Sequence, residues 1–129
     1  MAAGIGAPTA IRSYVADDVL ADLYARAGAF VFLSDYEGFG LTPLEALSCG
    51  VPILVGDTPV AREVYGEAAR YVATTDVPAA ASAIEELLFD PEARRRLLTR
   101  APAILERYSW ERAGRQTLGA LVEAAGAGR

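Results

Sequence analysis

Two carboxylates, Glu37 and Glu45, bracket the run EGFGLTPLE, which directly follows the apolar stretch AFVFLSDY. Where a strand hands over to a helix, free backbone N–H groups point outward and that helix end favours negative charge. An acid at each end of the run is therefore the wrong sign for a simple anion pocket. Gly38 and Gly40 let the backbone approach a bulky polar group closely. A ligand that combines phosphates with sugars reconciles these features. The N–H groups of Leu41 and Thr42 would face the phosphates, while Glu37 and Glu45 would accept hydrogen bonds from hydroxyls. A diphosphate flanked by two sugars fits that order, and such a ligand is a nucleotide-sugar.

Each residue also has a plainer reading. Thr42-x-x-Glu45 fits a capping box that satisfies orphan N–H groups in a helix's first turn, and Pro43 suits the first helical position. Glu37 could be a solvated loop acid, although it lies at the carboxyl end of a buried strand, where open α/β sheets bind ligands. Gly38-x-Gly40 with Asp57 downstream imitates a dinucleotide fingerprint, which leaves an oxidoreductase fragment as an alternative. Against it, Pro43 stands where the third glycine belongs, and Glu37 would face the pyrophosphate. Asp35 and Glu37 alternate as an acid pair that can be read as metal-binding, but such pairs are common in loops. No metal is required.

The inventory of side chains narrows the chemistry further. All 12 basic residues are arginine, and lysine, histidine and asparagine are absent. That absence removes Ser-His-Asp and Cys-His catalysis, Schiff-base lysines and histidine-ligated zinc. A net charge of −5 disfavours a nucleic-acid partner. The one cysteine, Cys49, excludes an internal disulfide, fits a reducing compartment and reads as a small buried residue. No apolar run approaches the roughly 20 residues of a membrane span. The opening MAAGIGAPTAIRSY lacks a basic segment followed by an apolar core. A cytoplasmic protein is expected.

The elements that must position Glu37 and Glu45 alternate in type. IRSYV (11–15), AFVFL (29–33), VPILVG (51–56) and RYVA (70–73) read as strands, with AFVFL and VPILVG covered on both sides. Helices are expected over 17–28, from Thr42 to Gly50, over 59–66 and over 77–89. A further helix starts at Asp90-Pro91-Glu92, and a last one opens at Ser109 and frays after Glu123. Arg94-Arg95-Arg96 reads as a solvated helix face, and Trp110 as a core or docking aromatic. The expected fold is α/β, a single domain over 1–129 with a parallel sheet of about four strands and helices on both faces.

Glu37-Gly38-Phe39-Gly40 through Glu45 resembles the E-x7-E motif of retaining group-1 glycosyltransferases, enzymes built from two facing Rossmann-like domains, the GT-B architecture. FVFLSDYEGFGLTPLEALSCGVPILVGD, REVYGEAARYV, DPEARRRL and YSWERAG extend the likeness from about Tyr14 to Ala125. The resemblance implies that Glu37, near the reacting carbon, is the catalytic candidate and holds donor-sugar hydroxyls. It also implies that Gly38, Phe39 and Gly40 touch the same sugar, that Leu41 and Thr42 bind the diphosphate, and that Glu45 binds the ribose. The donor the resemblance implies is a nucleoside diphosphate sugar, and no cofactor is implied.

Family members are much longer, with an acceptor-binding domain first, so the resemblance implies a truncated GT-B C-terminal half. An arginine–lysine pair and a histidine of the family have no counterpart here. The chain alone is therefore expected to be inactive, a partner for a missing domain or second chain, with a nonenzymatic interaction or remnant module as the alternative. Without the family's first two strands, AFVFL would be an unprotected sheet edge, and a homodimer or higher oligomer is expected.

Overall fold

The computed structural model describes residues 9–127. The stretch examined for a secretion signal falls largely on 1–8, outside the described residues. Three short parallel strands, β1 (Phe30–Phe32), β2 (Ile53–Gly56) and β3 (Ala69–Val72), form one sheet in the order β1-β2-β3. Registers Phe30 to Ile53 and Ile53 to Ala69 align the strand starts. Six α-helices surround them: α1 (Asp17–Arg26), α2 (Leu41–Ser48), α3 (Pro59–Tyr65), α4 (Val77–Phe89), α5 (Pro91–Leu105) and α6 (Trp110–Gly126). A single turn of 3-10 helix, Gly66–Ala68, joins α3 to β3.

Side chains alternate across a strand, so each strand feeds two cores. On one face Ile53 and Val55 pack with Leu44 and Leu47 of α2, Val64 and Tyr65 of α3, and Ile104 of α5. Phe30 and Phe32 of β1 join that core. On the other face Leu54 and Val72 meet Ala80, Ala83 and Leu87 of α4. All four residues of β2 are buried, as a central parallel strand requires.

The sheet has three strands, one fewer than expected. Residues 11–15 are irregular, and Ile11 and Tyr14 are exposed. A strand exists by pairing its backbone groups with a neighbour, and IRSYV makes no such ladder. β1 is therefore an edge. Its second face is only partly covered, since Val31 is 41 % and Leu33 37 % exposed, which corrects the expectation of a strand buried on both sides.

Helix ends follow local chemistry in most places. Thr58, Asp76, Asp90 and Ser109 each cap their helix, accepting N–H groups of the first turn at 2.9–3.1 Å. α6 continues through Gly126 instead of fraying after Glu123, yet buries none of its residues, and Trp110 is exposed. Arg94 is not part of a solvated face: it donates to the carbonyls of Gly28 and Leu87 and ties α5 back to the entry of β1. Cys49 is exposed, not buried. Its helix ends there with Gly50 at φ 74°, so the side chain sits on the outer turn.

Candidate functional site

The loop after β1 carries Ser34 to Gly40 with no regular structure and delivers the chain into α2. Ser34 Oγ donates to the Tyr36 carbonyl at 3.1 Å, and Thr74 donates to the Asp35 carboxylate, which fastens the loop to the end of β3. Asp35 is thereby engaged by a hydroxyl, and no group of three metal-binding side chains gathers among the described residues.

α2 begins differently from the sequence pattern. Its N-cap is Gly40, not Thr42, and no side chain accepts from its first turn. The capping box does not form. Pro43 is the third residue of the helix instead of the first. The cause is Gly40's backbone at φ 83°, left-handed territory where glycine is at home. Leu41 and Thr42 thus present N–H groups that no side chain among the described residues caps, and Pro43 has none to present.

Glu37 and Glu45 line two different spaces around this helix start. Glu37 is half-buried and lines a small cavity of about 10 Å³ with Phe32, Ser34, Phe39, Thr58 and Tyr65. Glu45 is exposed, one turn below Leu41 on the same helix face, and both line a cleft of about 610 Å³. Phe39 reaches both spaces, with its ring edge-on to Tyr108 at 5.0 Å. Arg107, Trp110 and Arg112, at and beyond the end of α5, close the cleft opposite α2. Glu45 accepts a hydrogen bond from the Tyr24 hydroxyl at 3.2 Å. Burial, and then the Glu45 charge, raise the Tyr24 hydroxyl above its ordinary value.

The two glycines of the loop differ in kind. A Cβ at Gly40 would lie 2.1 Å from the Tyr65 hydroxyl, so the fold itself demands glycine there. A Cβ at Gly38 would meet nothing within 4 Å, and Gly38 has no left-handed backbone. Nothing inside the chain requires Gly38 to lack a side chain.

The structure brings Phe39, Leu41 and Glu45 together in one cleft and sets Glu37 beside the other end of the loop. Sequence reasoning missed Tyr24, Tyr65 and the two arginines of the cleft. Tyr24 was legible as a helix-face residue but not as the partner of Glu45, because no local spacing links positions 21 residues apart.

A parallel sheet with helices on both faces, and a glycine-bounded loop leading from a strand's carboxyl end into a helix N-terminus, defines an α/β domain of the Rossmann-like kind. The family model described as glycosyl transferases group 1 matches residues 2–103, and the chain belongs to that family. It is 41 % identical over 107 residues to the O-antigen chain mannosyltransferase B of Escherichia coli, covering 83 % of this chain and 28 % of that protein. It is 31 % identical over 117 residues to a GDP-mannose-dependent alpha-(1-6)-phosphatidylinositol dimannoside mannosyltransferase of Mycobacterium tuberculosis, covering 90 % of this chain and 30 % of that one. Among solved structures, the sucrose-phosphate synthase of Thermosynechococcus elongatus superposes with a TM-score of 0.70 at 29 % identity, over 87 % of this chain and 29 % of that one. The chain thus spans less than a third of the length of each of these relatives. The expected α/β class holds, in the GT-B-like form. No helix among the described residues is long and apolar enough to cross a membrane.

Proposed function

We propose that this chain is the donor-binding part of a retaining glycosyltransferase that takes a nucleoside diphosphate sugar, and that the transferred sugar is mannose carried on guanosine diphosphate. The donor identity rests on the names of two relatives, a mannosyltransferase and a GDP-mannose-dependent mannosyltransferase. The observation that carries the reading is the uncapped first turn of α2 between Glu37 and Glu45. Leu41 and Thr42 offer N–H groups to the diphosphate, the anion chemistry a helix start favours. Glu45, exposed on the cleft wall, accepts ribose hydroxyls with the oxygen sites that Tyr24 leaves free.

Glu37, Gly38, Phe39 and Gly40 receive the donor sugar in this reading. Gly38 stands in open space without backbone strain, so the fold would accept a side chain there, whereas a sugar packed on the backbone would not. Glu37 binds sugar hydroxyls beside the reacting carbon, where its interactions count most in the transition state. Arg107 and Arg112 bring positive charge to the same cleft as Leu41, beside a departing diphosphate. An acceptor-binding domain or a second chain supplies the other wall. The anomeric configuration is kept on transfer, and no cofactor or metal is assigned a role.

Titration of the 129-residue chain with GDP-mannose, UDP-glucose and NAD, followed by backbone amide NMR, tests this reading. GDP-mannose should bind weakly, on the order of millimolar, about 4 kcal/mol, and shift the amides of Leu41 and Thr42. Glu45→Ala should weaken that binding further. Preference for NAD, or equal GDP-mannose binding by wild type and Glu45→Ala, would remove the assignment.

A further inference from the structure

We propose that Tyr65, outside the loop and helix that carry the donor-site residues, is the positioning residue that sets the direction of the α2 start and so of the phosphate-facing N–H groups of Leu41 and Thr42. The inference rests on the donor-site reading above and adds to it a residue outside the run from Glu37 to Glu45.

Tyr65 is the last residue of α3 and is only 2 % exposed. Its hydroxyl donates to the Gly40 carbonyl at 2.8 Å, across 25 residues of sequence. Gly40 is the N-cap of α2, and an N-cap carbonyl also accepts the first hydrogen bond of its own helix. The atom that fixes where α2 begins is thus held from outside by a buried phenol. A conventional cap would hold this end through a side chain at the N-cap, and glycine has none.

The tether has a firm base. The Tyr71 hydroxyl of β3 donates to the Gly66 carbonyl at 2.7 Å, with the Ala61 carbonyl at 3.3 Å within reach of the same proton, so it spans Tyr65 along the chain. α3 is capped by Thr58 at its other end. The fit at Gly40 leaves no slack, because the space of a Cβ there is the space of the hydroxyl itself. Tyr65 also lines the small cavity that Glu37 lines, so one ring stands at both the helix start and the sugar-side acid's cavity. Burial first, then the charge of Glu37 and the neighbouring Tyr71, push the Tyr65 hydroxyl up to about 12, so it remains a donor throughout the neutral range.

Tyr65→Phe keeps the ring and deletes the hydroxyl. Against GDP as probe, the 129-residue chain carrying Tyr65→Phe should bind about tenfold more weakly than wild type, with the Gly40, Leu41 and Thr42 amide resonances displaced before any ligand is added. Val72→Ala, in the core on the opposite face of the sheet, serves as a control for stability loss alone and should keep GDP affinity within about twofold. Unchanged GDP binding by Tyr65→Phe, or an equal loss in Val72→Ala, would overturn the positioning role while leaving the donor site intact. Failure of the wild type to bind GDP would instead overturn the donor-site reading, and this inference with it.

Discussion

Replacing Gly40 by alanine tests the geometry of the site start with a control built into the same chain. Gly40 and Gly50 both have left-handed backbones, at φ 83° and 74°. A Cβ at Gly50 would meet nothing within 4 Å, so Gly50→Ala carries the backbone penalty alone, about 1–2 kcal/mol. At Gly40 the new methyl would lie 2.1 Å from the Tyr65 hydroxyl, which must leave the Gly40 carbonyl. A buried hydroxyl that loses its partner and the ring displaced with it together add about 2.5 kcal/mol. Gly40→Ala should therefore cost about 4 kcal/mol, against about 1.5 kcal/mol for Gly50→Ala.

In a domain of this size each kcal/mol moves the melting temperature by about 4 °C, so thermal unfolding followed by circular dichroism should separate the two by about 10 °C. The sharper test is a double-mutant cycle. With Tyr65→Phe the hydroxyl is gone and the nearest atom to the new methyl is the ring Cζ at 3.4 Å, an ordinary contact. Gly40→Ala should then cost only its backbone term, which gives a coupling of about 2.5 kcal/mol between the two sites. Additive effects, or equal losses at Gly40 and Gly50, would refute the steric argument.

Three further outcomes are expected. Gly38→Ala should leave stability within about 0.5 kcal/mol, because its methyl enters open space, yet lower GDP-mannose affinity in the NMR titration. Tyr65 and Tyr71 are both held up to about 12, chiefly by burial, while the unfolded value is near 10. Their contribution is fully present below about pH 10 and is lost as pH rises from there towards 12, so urea midpoints should fall over that window and fall less steeply in Tyr65→Phe. Finally, Phe30 donates its N–H inward to Pro52 at 2.9 Å, so by strand alternation the Val31 N–H faces the free edge of β1. Val31→Pro should reduce self-association in light scattering with little loss of the internal ladder; a wild type that stays monomeric at high concentration would refute pairing through that edge.

What the sequence displayed was whatever depended on near neighbours. Val51 to Gly56 is an apolar run and is buried throughout. Asp90-Pro91-Glu92 announces a capped helix, and the Asp90 carboxylate does accept from Glu92 and Ala93. Ser109 likewise starts α6. The misreadings share a different cause, which is that distant partners decided the outcome. IRSYV has strand composition, but a strand needs a neighbour and none pairs with it. Arg94 belongs to a run of three arginines, yet the Gly28 carbonyl, 66 residues away, claims it. Glu45 has the spacing of a capping-box acid, but the Tyr24 hydroxyl holds it. The candidate site was legible as a set of residues and illegible as a geometry, because Tyr65 fixes that geometry from outside the motif.

The start of α2 shows why this trade is physically coherent. Four helices of this chain begin with a side-chain cap, a device worth about 1 kcal/mol each. A serine or aspartate at position 40 could not serve α2 in the same way, since an N-cap residue needs extended backbone and Gly40 is left-handed. Its β-carbon would also displace the Tyr65 hydroxyl. A tether through the carbonyl holds the helix in place and leaves the N–H side uncovered. A cap through a side chain would hold it equally well and cover the same N–H groups. If those groups are to meet a diphosphate, only the first arrangement keeps both rigidity and access, which is why Tyr65 and Gly40 must both be kept in any variant meant to preserve the site.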